Sequence, residues 1–231
     1  MAFEKIELRN FQQFVKPQKL PANDPRLFEV SLPVDINEIT SPEFQQLCNF
    51  LESEMIENDG AGMSAPQYGV MQKIVVVDSS LINRNSNRDK DEIKPIILIN
   101  PTMEIIDTTF QKNWEGCFSV VASNGDFFYT EVERPISIKV TALNRNGEHI
   151  ELTLENFQAH IFQHEYDHFE GLRLFQRVQD DALFMVVPNA QLAEYRLLRR
   201  RGESWPHTCT KAEMAEKLGI PVEKTAFIAY Q

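Results

Sequence analysis

The stretch His164-Glu165-Tyr166-Asp167-His168 limits what this chain can fold into more than any other. Residues four apart lie on the same face of an α-helix, so the two imidazoles can reach one metal ion. Glu165 lies about 100° further round the helix, which places a carboxylate beside the open position of the metal. In this H-E-x-x-H arrangement the glutamate is a general base for metal-bound water. The pattern predicts a metal-binding helix that needs a third ligand from elsewhere in the chain.

The residues alone leave the third ligand open. His160 precedes His164 by one helical turn and can line the pocket, but three ligands from one straight helix fit poorly around one ion. Cys117 lies between Gly116 and Phe118, where glycine lets the backbone approach a metal closely. A cysteine in such a place is also often a small buried residue. The other candidates are His149, His207, Cys209 and the downstream acids.

Length and composition narrow the class of protein. The chain has 231 residues, 42% of them hydrophobic, which suits one good-sized domain with appendages. A net charge of −11 argues against bulk binding to nucleic acid. No run of about 18 apolar residues occurs, so we expect no membrane span. The N-terminus does not resemble a signal or transit peptide, and the three cysteines are far apart, so we expect a cytoplasmic protein without a disulfide framework.

The predicted strands precede the metal-binding helix. An amphipathic helix is expected from Pro42, with Thr40 as its cap, to about residues 58–60. The helix that carries the histidines is expected from about residue 155 to Gly171. This order predicts an α+β fold. Strands are expected at residues 73–78, 96–100 (ended by Pro101), 103–110, 136–143 and 149–154, the last two joined by a turn at residues 144–147.

Three stretches resemble the motifs of the peptide deformylase family, in the family's order and spacing. Residues 60–67 (GAGMSAPQ) resemble the first motif, residues 115–119 (EGCFS) match the second, and residues 164–168 (HEYDH) match the third. The resemblance implies an α+β fold with antiparallel β-sheets packed around a central metal-binding helix. It divides the chain into an N-terminal extension (1–23), a catalytic metallohydrolase domain (24–178) and a C-terminal extension (179–231) that we expect to be helical.

The family removes the formyl group from the N-terminal formylmethionine of newly synthesised polypeptides. The resemblance therefore implies a metal-dependent hydrolase that acts on N-formylmethionyl peptides or nascent chains. It implies that Cys117, His164 and His168 hold one divalent metal ion, Fe²⁺ in the cell, with Zn²⁺ or Ni²⁺ as substitutes. Glu165 is expected to take a proton from the metal-bound water and to deliver one to the departing amine.

The resemblance also assigns the other site residues. The side-chain amide of Gln67 and the backbone N–H of Phe118 are the expected donors to the oxyanion. Glu115 and Asp167 are expected to fix the elements that carry the ligands, with Arg134 as a partner. The substrate peptide is expected to pair, strand-like, with the backbone of the first motif. The expected substrate-binding residues are Ala61, Gly62, Gly116 and His160.

The chain departs from the family's pattern at three places. Ser64 stands where the family has alanine, and residues 121–126 replace a shorter segment that contains proline and glycine. His160 stands where the family has an apolar residue or arginine, near the pocket for the methionine side chain. We nevertheless expect methionine to remain the preferred first residue of the substrate.

Two questions have alternative answers: the role of the C-terminal extension, and the class of protein to which the site belongs. A basic cluster in the extension predicts either a contact with the ribosome or a solvated helix face; its residues are Arg196, Arg199, Arg200 and Arg201. The alternatives to a deformylase are a zincin-type metallopeptidase with another third ligand and a non-catalytic, deformylase-like binding protein.

Overall fold

The computed structural model describes residues 17–79, 94–201, 203 and 205–230. The first 16 residues of the predicted N-terminal extension and residues 80–93 lie outside this part. The described chain divides into two compact units. Unit 1 contains Arg26–Gln111 and Arg134–Gly171, whereas unit 2 contains Lys19–Pro25, Lys112–Glu133 and the chain from Leu172 onward.

The described residues form four α-helices and seven β-strands. The helices are α1 (Pro42–Glu57), α2 (Asn156–Phe169), α3 (Leu192–Arg200) and α4 (Lys211–Leu218). The strands are β1 (Gly62–Ser64), β2 (Ile74–Asp78), β3 (Pro95–Val121), β4 (Phe127–Leu143), β5 (His149–Glu155), β6 (Leu183–Val187) and β7 (Thr208–Thr210).

The strand pairs are antiparallel. β1 pairs with β2, with Met63 opposite Val76, and β2 pairs with β3, with Val75 opposite Leu98. β4 pairs with β5 and with β6, and β6 pairs with β7. The predicted hairpin of β4 and β5 is confirmed, and Gly147 in its turn has a φ of 82°. Because β1 is first in the strand order, the described strands leave one of its edges without a neighbour.

The structure corrects three expectations about element boundaries. The strand expected at residues 136–143 begins earlier, because β4 starts at Phe127. The cap of α1 is Ser41 rather than Thr40, since the Ser41 hydroxyl accepts a hydrogen bond from the Phe44 N–H at 3.2 Å. Pro101 does not end a strand, because β3 continues through it to Val121. Asn100 absorbs the bend before the proline with a φ of 50°, a local distortion of the kind that lets proline occur within a sheet.

The apolar side of α2 packs against the sheet of unit 1. Ala159, Phe162 and Phe169 from α2 join a buried cluster with residues of β2, β3, β4 and β5. At the end of α2, Gly171 has a φ of 68°, and a Cβ there would lie 2.6 Å from the carbonyl carbon of Phe28. Glycine is therefore required for both the turn and the close approach. The predicted α+β fold is confirmed, with the helix of the two histidines packed against antiparallel strands.

The chain beyond residue 178 forms part of unit 2 and is not entirely helical, since it contributes β6 and β7 as well as α3 and α4. Thr210 and Glu213 form a capping box at the start of α4. Trp205 donates its indole N–H to the Val186 carbonyl at 2.8 Å, which ties the loop before β7 to β6.

In the part of the chain that the structure describes, no helix is both long and apolar enough to cross a membrane.

Candidate metal centre

His164 and His168 stand one turn apart on α2, as the spacing predicts. Their ring centroids are 5.4 Å apart, and the two rings meet edge to face. His168 is buried and His164 is half-buried. Because the opposite side of α2 is fixed in the core of unit 1, the backbone that carries both imidazoles is held firmly, and their separation suits a single ion.

Cys117 brings a thiol to the same place. The ligand atoms of Cys117, His164 and His168 all lie within 4.8 Å of one another. Tetrahedral bonds of about 2.0–2.3 Å place such donors about 3.3–3.6 Å apart, so small side-chain adjustments bring all three to one ion. Among the described residues, the other candidate ligands, including His149, His207 and Cys209, do not form such a group. The donor set of one sulfur and two nitrogens fits a divalent transition metal.

Cys117 lies within a strand. β3 runs through all of residues 115–119. The Cys117 sulfur accepts a hydrogen bond from the Ser119 N–H at 3.4 Å. A strand holds a ligand more rigidly than a loop does, because its backbone conformation is fixed by its pairing.

Glu165 lies between the two histidines in sequence and is buried. Its Oε2 accepts a hydrogen bond from the Ser64 hydroxyl at 2.7 Å, and the same hydroxyl lies 3.0 Å from the Glu165 carbonyl oxygen. A Cβ on Gly62 would come within 2.7 Å of Glu165 Cγ and 2.9 Å of its Oε1. The Glu165 side chain is therefore held by a hydrogen bond on one side and by the bare backbone of β1 on another.

Gln67 is also hydrogen-bonded to Ser64. Its Oε1 accepts a hydrogen bond from the Ser64 backbone N–H at 2.8 Å, at the start of the short 3₁₀ helix Ala65–Tyr68. An amide group that accepts through its oxygen has its two N–H donors on the opposite side. The Gln67 amide nitrogen is therefore the donor end of the side chain.

A buried ion pair fixes α2 beside the histidines. Arg134 on β4 donates to Asp167 Oδ2 at 2.8 Å, and the two side chains are 0% and 5% exposed. This contact confirms the expected partnership of Arg134 with Asp167. Because both residues belong to unit 1, the pair ties α2 to β4 just before the second histidine. Glu115, the other carboxylate expected near the site, is also buried.

Gly116 packs against the ring of Tyr129, and the alternation of side chains along a strand places this ring on the side of β3 opposite the Cys117 side chain. A Cβ on Gly116 would fall within the ring of Tyr129, so only glycine fits there. Burial raises the pKa of Tyr129 above its ordinary value; the nearby Arg196 opposes this shift and the charge of Cys117 adds to it.

Phe118 lies beneath a cation, with Lys19 Nζ 4.2 Å from its ring centroid.

Two further predicted residues have defined places in unit 1. His160 is buried on α2, one turn before His164. The Ala61 carbonyl accepts a hydrogen bond from the Asp78 N–H at 3.0 Å, which continues the β1–β2 pairing to the residue before Gly62.

Sequence reasoning gave no role to Ser64 or Tyr129. The only signal for Ser64 was its departure from the family's alanine, and none pointed to Tyr129.

Comparison of the sequence with known proteins gives one consistent result. The family described as polypeptide deformylase matches residues 19–183. Peptide deformylase 2 of Ralstonia nicotianae is 33% identical over 71% of this chain and 88% of its own length. The chloroplastic peptide deformylase 1A of Solanum lycopersicum is 34% identical over 76% of this chain. The match spans 64% of the tomato protein, a little under two thirds of its length.

Solved structures show the same likeness. A class I type b peptide deformylase from Acinetobacter baumannii, bound to Met-Ala-Ser, has a TM-score of 0.61 and 29% identity; it covers 71% of this chain and 99% of its own. A peptide deformylase from Synechococcus elongatus in complex with actinonin has a TM-score of 0.59 and 27% identity; it covers 83% of this chain and 91% of its own. Neither match reaches the whole of this chain.

Proposed function

The chain belongs to the peptide deformylase family, and from that premise we propose that it hydrolyses the formyl amide of N-terminal formylmethionine in newly synthesised polypeptides. The convergence of Cys117, His164 and His168 is the observation that carries the proposal. The enzyme class is that of a metallohydrolase acting on a linear amide. A thiol in the ligand set, in place of a downstream acid or histidine, distinguishes this assignment from a zincin-type peptidase.

We propose that Cys117, His164 and His168 hold one divalent metal ion. A mixed sulfur and imidazole donor set suits Fe²⁺, Zn²⁺ and Ni²⁺, and we propose Fe²⁺ as the metal in the cell. When bound, such an ion lowers the pKa of water and polarises a carbonyl oxygen. The buried Arg134–Asp167 pair keeps the helix end that carries His168 in place.

Glu165 is assigned the proton transfers. Its carboxylate takes a proton from the water molecule that adds to the formyl carbon. It then gives that proton to the amine nitrogen as the C–N bond breaks, so that formate and a free N-terminus are the products. The Ser64 hydrogen bond, at 2.7 Å, orients the carboxylate for both transfers. Because Gly62 has no side chain, the carboxylate keeps its place beside β1.

Negative charge that develops on the formyl oxygen requires preorganised donors. We assign this role to the Gln67 side-chain amide and to the Phe118 backbone N–H. The Ser64 N–H fixes the orientation of Gln67 by binding its oxygen. Such donors contribute because they are already oriented when the charge appears.

The substrate peptide is proposed to bind along β1. This strand has an open edge among the described strands, and an extended peptide can add to such an edge through backbone hydrogen bonds. Ala61, Gly62 and Gly116 are assigned to the backbone around the peptide, and His160 to the pocket for the methionine side chain. A panel of formylated dipeptides tests the pocket: equal rates for Met and Ala at the first position would contradict it.

Formate release from a formyl-Met dipeptide tests the function directly. The wild-type protein should release formate, and Glu165→Gln should abolish release while keeping the metal, since Glu165 is not a ligand. Cys117→Ala should lose the metal as well as the activity. A metal-loaded wild-type protein that releases no formate would contradict the proposal and favour a non-catalytic binding protein. Metal retained in full by Cys117→Ala would instead favour a zincin-type site.

The ribosome is a further proposed partner, through the basic cluster on and after α3. Arg196 and Arg201 have exposed side chains, which can approach RNA. The Arg199 guanidinium lies over the Trp114 ring, 4.6 Å from its centroid, and the side chain of Arg200 is outside the described part. Arg196→Glu combined with Arg201→Glu should abolish co-sedimentation with ribosomes without loss of fold. Unchanged sedimentation would leave the cluster as a solvated helix face.

A cytoplasmic location is the remaining part of the proposal. The three cysteines are free thiols, which suits a reducing compartment. Relatives described as chloroplastic or mitochondrial occur beside bacterial ones. Fractionation of the source cells, with detection of the untagged protein, decides the question. The proposed boundaries of the catalytic domain, residues 24–178, can be tested by the folding of that segment alone.

A further inference from the structure

The C-terminal extension contacts the strand that carries Cys117 through a series of aromatic rings. We propose that this series positions Cys117 for metal binding, which makes the extension a working part of the metal centre. The inference rests on the proposed function, since it takes Cys117 to be a metal ligand. It concerns residues beyond position 183, where the match to the family ends.

The first contact lies directly behind the ligand. The ring of Tyr129 occupies the space that a Cβ of Gly116 would fill. Successive side chains in a strand point to opposite faces, so Tyr129 lies on the far side of β3 from the Cys117 side chain. A ring packed against bare backbone at this point limits how far the strand can move away from a metal on its other face.

The second contact joins this ring to the extension. Tyr195 of α3 packs on Tyr129 with their ring centroids 4.6 Å apart, and Trp205 meets Tyr195 edge to face at 5.8 Å. Tyr195 and Trp205 are 4% and 6% exposed. We call Tyr129, Tyr195 and Trp205 the aromatic stack. Its outer end is fixed to β6 by the hydrogen bond from the Trp205 indole to the Val186 carbonyl.

Two neighbouring contacts hold α3 against the same strands. Arg199 places its guanidinium over Trp114, which lies on β3 three residues before Cys117. The buried cluster around the stack includes Met185 and Val187 of β6, and Met185 is the strand partner of Tyr129. All of these residues belong to unit 2. The extension therefore packs on β3 and β4 around the aromatic stack. It supports the Cys117 backbone on the face of β3 opposite the Cys117 side chain.

Residues that orient a metal ligand from outside the ligand set typically change metal affinity by about 10- to 100-fold when they are replaced. We therefore expect Tyr195→Ala, which removes the middle ring of the stack, to release metal about 10-fold faster than the wild type. Tyr195→Phe keeps the ring and should behave like the wild type. The hydroxyl group is then excluded as the cause.

The experiment uses the full chain loaded with Co²⁺, whose thiolate charge-transfer absorption reports the bond to Cys117. Release of Co²⁺ to an excess of chelator gives the rate, and the absorption band gives the ligand geometry. Met214→Ala is the matched control, because Met214 is fully buried in α4 of the same extension but lies outside the cluster around the stack. Thermal unfolding of each variant shows how much stability it has lost.

The expected result is faster release and an altered charge-transfer band in Tyr195→Ala, with wild-type release and band in Met214→Ala at a similar loss of stability. Wild-type release in Tyr195→Ala would overturn the inference. Equal acceleration in both variants would also overturn it, since the effect would then follow general destabilisation. Absence of the thiolate band from the wild type, or its persistence in Cys117→Ser, would refute the metal centre itself, and the inference would fall with it.

Discussion

The Ser64 hydroxyl donates a hydrogen bond to the Glu165 carboxylate at 2.7 Å, although the two residues are 101 positions apart in sequence. The backbone N–H of the same serine holds the Gln67 side chain at 2.8 Å. Ser64 is completely buried, so water does not compete for either contact. One residue thus orients both the proposed proton carrier and a proposed oxyanion donor.

Ser64→Ala should lower kcat by about 10-fold and leave KM close to the wild-type value. A hydrogen bond to a charged group contributes about 1.5–3 kcal/mol, and 1.36 kcal/mol in the barrier corresponds to a factor of ten in rate. The substitution removes the hydroxyl and keeps the backbone N–H that binds Gln67. Steady-state kinetics with a formyl-Met dipeptide measure the effect.

Ser31→Ala is the matched control for that variant. Ser31 is another buried serine of unit 1, and its hydroxyl has no hydrogen-bond partner within the described part of the chain. It should therefore keep wild-type kcat. A Ser64→Ala enzyme as fast as Ser31→Ala would show that the hydrogen bond has no role in the rate.

Gly62→Ala should reduce kcat about 100-fold without loss of metal. The new Cβ would lie 2.7 Å from Glu165 Cγ and would push the carboxylate from its place. A misplacement of about 1 Å at a reacting group can cost about 100-fold in rate. The substitution does not touch the three proposed ligands, so the metal content of the purified protein should match that of the wild type.

Gly147→Ala separates this steric effect from backbone strain. Gly147 has a φ of 82°, but nothing lies within 4 Å of a Cβ at that position. This variant should lose stability and keep its activity. If Gly62→Ala kept wild-type kcat, the close approach to Glu165 would have no catalytic consequence.

The ion pair of Arg134 and Asp167 predicts a large effect on stability. Arg134→Met leaves the Asp167 carboxylate buried without that partner, and breaking a buried pair in this way costs about 3–5 kcal/mol. Urea unfolding at neutral pH gives the free energy. Lys139→Met is the comparison. Lys139 Nζ lies 3.0 Å from Glu151 Oε1, but the two side chains are 38% and 64% exposed. It should cost less than about 1 kcal/mol, and equal losses in the two variants would contradict the argument.

The sequence determines some parts of this site and not others. Two histidines four apart must share a helix face, so that half of the metal centre follows from helix geometry alone. Cys117 could be selected from several candidates only by resemblance, because its approach to the histidines depends on long-range packing. The continuation of β3 through Pro101 depends on an unusual φ at Asn100, which no propensity scale contains. The contact of Ser64 with Glu165 likewise joins distant segments and leaves no periodic signal.

Cys48 predicts a pH dependence of stability in unit 1. The residue is buried on α1, and this burial raises the pKa of its thiol from 9.0 to about 12. The native state therefore keeps a proton that the unfolded chain loses, so the stabilisation is complete below pH 9.0 and is lost as the pH rises toward about 12. One such group contributes a slope of about 1.4 kcal/mol per pH unit in that window.

Urea unfolding under reducing conditions should show a shallower decline above pH 9.0 in Cys48→Ala than in the wild type, even though the variant starts from a lower stability. Parallel curves would show that the Cys48 thiol ionises equally in the native and unfolded states.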